Sequence, residues 1–303
     1  MKIGAKIGAK IGAIEAGGTK MVLAIYNEEG KEMSRKTIPT GDPDETLPAM
    51  IHYFKMECVD ALGIGSFGPL DLNPNSATFG NITSTPKLAW QNIPLYQIFR
   101  NELGVPVGID TDVNAAALAE LEVGVGKGHA TIVYVTIGTG IGGGLIVDGK
   151  PQHGLLHPEM GHMLLRPHPK DPMPEGICPF HVSCLEGLAS GPALQARLGV
   201  EAKEVSIDHP VFDIESYYLA QMCHNLIATL SPQKIILGGG VMTKEGMLPK
   251  IRQEVLKLLN GYIQVKEILT DMDHYIVSPS LFPVSGLVGA YLLGKSALEM
   301  SLE

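Results

Sequence analysis

Positive charge is in short supply in this sequence: 23 Lys and Arg stand against 32 Asp and Glu, a formal net charge of -9. A nucleic-acid-binding surface needs clustered cations to displace counterions, and no Lys/Arg stripe runs through the body of the chain, so no nucleic-acid partner is expected. No helix-turn-helix segment precedes the first strand. No apolar run approaches the roughly 18 to 20 residues that cross a bilayer, and no signal-peptide pattern with a cleavage site occurs, so the expectation is a cytoplasmic protein without a membrane partner. Cysteine is scarce, at four residues. Neither a Walker A motif nor the dinucleotide fingerprint fits any glycine run, which disfavours a P-loop or Rossmann site.

What the chain has is glycine, 36 of its 303 residues. Length allows two domains, each with its own core, and the balance of 45% apolar to 18% charged residues is that of a compact soluble protein. The first thirteen residues repeat Lys-Ile-Gly-Ala at Lys2, Lys6 and Lys10. They read as a fused arm, with a membrane-active arm as the alternative, and are set aside from the fold except where their end joins a strand.

Two segments share one grammar of apolar strand, glycine tip and apolar strand. The first runs over 11–27 around Gly17, Gly18, Thr19 and Lys20; the second runs over 130–149 around Gly138–Gly144. Helices are expected near 44–57, 94–103, 113–123, 185–198, 214–230, 247–260 and 287–299. Strands are expected near 62–67, 105–110 and 234–237, the last ending in Gly238, Gly239 and Gly240. This alternation implies two largely parallel sheets covered on both faces.

Backbone without Cβ atoms brings N–H donors close to a polyphosphate from several directions. Any one such loop is simply a tight turn. Three in matching places point to nucleotide binding, with Thr19 and Thr139 adding hydroxyls and Lys20 a charge. Glu15 stands where a carboxylate can hold a Mg²⁺-bound water, or else is a solvated strand-end acid.

Cys178, His181 and Cys184 recur at intervals of three in a Pro-containing loop, a spacing that wraps one tetrahedral zinc ion. His162, His157 and water compete for the fourth place. A Cys178–Cys184 disulfide is disfavoured in a reducing compartment, and Cys58 and Cys223 read as buried apolar residues of helices. At 110–114 a strand ends and a helix begins. Asp110 reads as the helix N-cap, and Asp112 as the carboxylate that takes the proton of an attacking hydroxyl. Glu159 and Glu186 flank the Cys/His loop as candidate acceptors for sugar hydroxyls.

On these residues the chain resembles the ROK family of sugar kinases and repressors within the actin-like ATPase superfamily. The resemblance rests on Glu15–Lys20, Gly138–Gly144, Glu159-Met160-Gly161-His162, the segment from Cys178 to Glu186, and Ser231-Pro232 with 235–241. It implies a two-lobed, ribonuclease H-like α/β fold with duplicated sheets and a cleft. One lobe would span 14–115, completed by a helix at 287–303; a larger lobe would span 116–286 and carry a zinc loop at 157–186.

By the same resemblance Asp112 would be the base, and His162 would bind both zinc and sugar. Gly68 and Thr111 would line the sugar pocket with Glu159 and Glu186. ATP would meet Gly17, Gly18, Thr19, Lys20, Thr139, Gly140, Pro192 and Gly238 to Gly240, with Mg²⁺. Three departures stand out: Glu15 where many members have Asp, Thr111 where many have Asn, and two Cys plus a His where glucokinase-like members use three Cys. The last form is similar to the bacterial fructokinase branch, so fructose is the expected substrate. Glucose, mannose and N-acetylmannosamine are the alternatives, as is a non-catalytic sugar sensor. A homodimer is implied.

Overall fold

The computed structural model describes residues 8–303, so the first seven residues of the expected arm lie outside the described residues. The chain divides into two compact units, one made of the residues up to 122 with 150–158 and 283–303, the other of 123–149 and 159–282. The boundary expected after 115 falls inside a helix that stays whole in the first unit.

The first unit is built from β1 (Lys10–Ala16), β2 (Lys20–Asn27), β3 (Glu32–Pro39), α1 (Pro43–Glu57), β4 (Ala61–Ser66), α2 (Leu95–Leu103), β5 (Val107–Thr111) and α3 (Asp112–Glu122). The sheet order is β3-β2-β1-β4-β5, with β1–β2 and β2–β3 antiparallel and β1–β4 and β4–β5 parallel. It is therefore mixed rather than largely parallel: tight hairpins impose antiparallel pairing, and the crossovers through α1 and α2 impose parallel pairing.

The arm expected over 1–13 gives way at its end to β1, which begins at Lys10, one residue before the hairpin expected from 11, and buries Ile11, Ala13 and Ile14 almost completely. The end of the repeat is thus core strand. β3 was not expected; nearly all of its residues are exposed or half-exposed, as befits a polar edge strand. Cys58 is also corrected. It is exposed and ends α1 in the left-handed region, at φ 52°.

In the second unit β6 (Ile132–Ile137) and β7 (Ile141–Val147) form the second hairpin. Gly142 to Gly144, read as part of a loop, lie within β7. Gly143 is needed there because a β-carbon would meet the Met160 sulfur at 2.4 Å. The two-residue β8 (Lys150–Pro151) belongs to the first unit.

The helix expected over 185–198 is broken into α4 (Leu185–Ala189) and α5 (Gly191–Leu198), with Ser190 ending one and capping the other through its hydroxyl. There follow α6 (Val211–Leu230), β9 (Lys234–Gly238), α7 (Met247–Leu259), α8 (Lys266–Leu269), α9 (Met272–Tyr275) and β10 (Ile276–Val277). Within this unit the strands run in the order β10-β9-β6-β7, with β9 parallel to both β6 and β10. One core joins the sheet to α4, α6 and α7 through Val133, Val135, Leu188, Phe212, Tyr218 and Ile251.

Last comes α10 (Ser285–Met300), which lies on the first unit's sheet opposite the face holding Met50, Phe54 and Phe99. Its approach is close enough that β-carbons on Gly63 and Gly289 would sit 1.7 and 1.8 Å from backbone oxygens of Ala290 and Ala115. Glycine is obligatory at both crossings.

Candidate active site and metal centre

The first glycine turn joins β1 to β2. Gly17 N–H donates to the Lys20 carbonyl at 3.0 Å, and a β-carbon on Gly17 would lie 2.9 Å from that same oxygen. Thr40, which sequence reasoning passed over, fixes the turn from outside: its hydroxyl donates to the Gly17 carbonyl at 2.8 Å and its N–H to the Thr19 carbonyl at 3.0 Å. With those carbonyls tied to Thr40, the amides of Gly18 and Thr19 find no acceptor among the described residues. Unpaired amides at a turn are receptors for an anion.

Glu15 precedes this turn, and burial raises its carboxyl pKa while Lys20 and Arg35 act in the opposite sense. The carboxylate leans on the start of α10, where a β-carbon at Gly286 would be 2.8 Å from Glu15 Oε1. One carboxylate suits an ion that arrives with substrate phosphates and keeps most of its waters, as Mg²⁺ does.

The second turn, Gly138 to Gly140, has the same logic in the other unit. Gly138 N–H donates to the Gly140 carbonyl at 2.9 Å, and the Gly138 carbonyl accepts from Gly191 N–H at 2.7 Å. The amides of Thr139 and Gly140 have no acceptor among the described residues. That bond from Gly191 sets the start of α5, with Pro192 in its first turn, against the turn. Gly239, at φ +91°, packs so tightly on Ile137 that a β-carbon would be 2.3 Å from its carbonyl oxygen. The structure thus brings Thr139, Gly140, Pro192 and the 238–240 run to one end of β6.

Asp112 opens α3, half-buried, with its Oδ1 accepting from Val113 N–H at 2.9 Å. The expected N-cap role of Asp110 is corrected. Thr111 caps α3, its hydroxyl accepting from Asn114 N–H at 3.1 Å. Asp110 is buried and accepts from Thr111 N–H at 2.7 Å and from the Asn114 side chain at 2.8 Å, with His153 Nε2 at 3.0 Å from its other oxygen. That contact raises the His153 pKa, against burial. Gly68 faces His157, whose Nε2 accepts from Leu70 N–H at 3.0 Å. His157 thus belongs to the first unit and is not among the clustered metal-type donors.

His162, Cys178, His181 and Cys184 bring their donor atoms within 4.8 Å of one another. Two sulfur–nitrogen edges measure 3.7 Å (Cys178 to His181 Nδ1) and 3.8 Å (Cys184 to His162 Nδ1). A tetrahedral zinc ion with ordinary Zn–S and Zn–N bonds requires edges of about 3.6 Å, so the donor set fits the metal. His162, not His157, is the fourth of these clustered donors. All four cysteines are free. Burial, then the neighbouring Cys178, pushes the Cys184 thiol up to about 11; a divalent cation would supply the charge that lets both thiols ionise.

The loop is locally well determined. Cys184 caps α4 with its sulfur accepting from Gly187 N–H at 3.4 Å, and Gly187 packs where a β-carbon would strike Cys178. Both candidate sugar carboxylates hang on this cluster. Glu159 begins the 3-10 turn Met160–His162, and Glu186 lies in the first turn of α4, where its Oε2 accepts from Ile141 N–H at 2.9 Å. Burial and the nearby Glu186 raise the Glu159 pKa. The result is a pair of acceptors on one rigid frame beside the second turn.

Comparison with known proteins gives this arrangement a lineage. The ROK family profile matches residues 11–297, which takes in the end of the Lys-Ile-Gly-Ala repeat. A putative fructokinase of Bacillus subtilis is 47% identical over 94% of this chain and 95% of its own length. A fructokinase of Lactococcus lactis is 46% identical over 89% of this chain and 91% of its own. Among solved structures, a ROK hexokinase from Thermus thermophilus superposes with a TM-score of 0.75 at 26% identity, covering 94% of this chain and 97% of that one. A Streptomyces griseus ROK glucokinase, in complex with glucose and AMPPNP, gives 0.73 at 26%, covering 95% and 100%. Matching sequence from the first strand to the last helix, on an actin-like ATPase fold with a mixed sheet in each unit, establishes that the chain belongs to the ROK family.

Proposed function

We propose that this protein is an ATP-dependent hexokinase whose substrate is D-fructose and whose product is fructose 6-phosphate. The observation that carries the reading is the pair of glycine turns, each offering two main-chain amides with no acceptor among the described residues, on a chain that fructokinases match at 41–47% identity. The Cys178, His181, Cys184 form of the loop, similar to the fructokinase branch, supports fructose.

Asp112 takes the proton of the 6-hydroxyl as that oxygen attacks the terminal phosphorus of ATP; the bond from that phosphorus to ADP breaks, and ADP carries the electron pair away. The free amides of both turns meet phosphate oxygens, and Gly238 to Gly240 with Pro192 seat the nucleoside. Glu159, Glu186 and His162 accept from or donate to sugar hydroxyls, and Gly68 and Thr111 are assigned to the sugar by the family resemblance. Mg²⁺ accompanying ATP would neutralise phosphate charge, with Glu15 holding one of its waters. Zinc held by His162, Cys178, His181 and Cys184 would fix the directions of the two glutamates. The family resemblance also implies a homodimer, which sedimentation would test.

Sugar-dependent ADP release, measured with fructose, mannose, glucose and N-acetylmannosamine, tests the reading. Fructose should give the highest kcat/KM, and Asp112→Asn should cut kcat about 10²–10⁴-fold with the fold retained. No ADP release with any of the four sugars, or full activity in the variant, refutes it.

A further inference from the structure

The cation expected at the first turn was Lys20. That side chain is exposed, and its charge acts on Glu15. A different lysine lies over the turn itself: a β-carbon built on Gly18 would stand 3.2 Å from Lys87 Cε, 69 residues away in sequence. The base of Lys87 is held firmly. Its N–H donates to the hydroxyl of buried Thr85 at 3.3 Å, and its carbonyl accepts from Trp90 N–H at 2.8 Å. Trp90 is in turn buried and donates its indole N–H to the Gly41 carbonyl at 3.0 Å.

The ammonium has no ion-pair or hydrogen-bond partner among the described residues, although Asp42 and Glu45 line the same open hollow of about 460 Å³ along with Thr40 and Trp90. A half-buried lysine on a fixed base, without a partner among the described residues and laid over a turn with two unpaired amides, is arranged for an anion brought from outside.

We propose that Lys87 is a further catalytic residue of the first unit, its ammonium contacting the phosphoryl group that is transferred from ATP. The inference rests on the kinase reading. As the terminal P–O bond to ADP breaks and the bond to the sugar oxygen forms, the Lys87 ammonium neutralises charge on the non-bridging oxygens, while the hydroxyl proton goes to Asp112. Lys87 contributes less to binding ADP, which lacks that phosphoryl group.

The test uses the full chain with Lys87→Met and Lys87→Arg. For Lys87→Met, kcat with fructose should fall about 10²–10³-fold with an unchanged thermal midpoint, and Lys87→Arg should recover part of the loss. By calorimetry, AMPPNP should bind Lys87→Met about tenfold more weakly, with ADP affinity unchanged. The comparison of AMPPNP with ADP reads Lys87 even if the wild-type protein turns over none of the sugars, so failure of the kinase reading and failure of this inference are separable. Equal weakening of both nucleotides, no weakening of either, or a loss confined to the fructose KM would overturn it.

Discussion

Gly140→Ala isolates the link between the second glycine turn and Glu186, the carboxylate proposed to hold sugar. Gly140 does not occupy the left-handed region, so its backbone accepts alanine. The new β-carbon, however, would lie 2.8 Å from Glu186 Oε2, roughly 0.6 Å inside a comfortable contact. Because the obstacle is the end of a side chain, Glu186 gives way, and its 2.9 Å bond from Ile141 N–H stretches to about 3.5 Å, no longer a good hydrogen bond.

Losing that bond costs about 1–1.5 kcal/mol of stability, and the alanine regains about 0.4–1 kcal/mol through the unfolded chain, leaving a net loss under about 1 kcal/mol. Turnover should suffer more, since misplacing an orienting group by a fraction of an ångström to one ångström reaches a hundredfold. Steady-state kinetics with fructose should show kcat/KM lower by about 10–100-fold, or about 1.4–2.7 kcal/mol. The contrasting variant is Gly239→Ala, where φ is +91° and the obstacle is the Ile137 backbone; it should lose on the order of 2–5 kcal/mol of stability. Unchanged fructose kcat/KM in Gly140→Ala, or a stability loss matching that of Gly239→Ala, would refute the reasoning.

Arg197 and Asp171 form a buried two-pronged pair at 2.8 Å, their side chains 2% and 0% exposed, and Tyr218 donates to the same carboxylate. Arg197→Met should cost about 3–5 kcal/mol in urea unfolding, and the double variant with Asp171→Asn should cost less than the single one. The His153–Asp110 contact should make stability depend on pH. Because the folded His153 pKa is raised, its contribution is fully present below the ordinary histidine pKa of about 6.5 and fades as pH rises through the higher folded value. The margin of wild type over His153→Ala in thermal unfolding should accordingly shrink from acidic to alkaline pH, and a constant margin would contradict this. Cys178→Ser should remove most of the zinc measured in the purified protein, while His157→Ala should leave the zinc content unchanged.

The hairpins were legible because apolar runs flank glycines, and the Cys/His loop because Cys178, His181 and Cys184 sit close together in sequence. Other features gave no local signal. Thr40 and Lys87 act on a turn about twenty and seventy residues away, and only the folded chain brings them there. The start of β1, by contrast, was legible to within one residue although it lies in the Lys-Ile-Gly-Ala repeat, because Ile11 and Ala13 continue into the apolar run that fills the core. The glycines of β7 suggested a loop, because the reason for them, the Met160 side chain lying across the strand, belongs to another segment. Asp110 was assigned the cap that Thr111 provides; either residue suits that position, and His153, which occupies Asp110, is 43 residues further on.

Ser190 ends α4 and begins α5 within a single residue. On one side of that elbow hang Cys184 and Glu186, and on the other Gly191 grips the Gly138 carbonyl. Such a joint has no slack: within this unit the Gly138–Gly140 turn and the Glu186 carboxylate are the two ends of one short lever, so neither can shift far without the other.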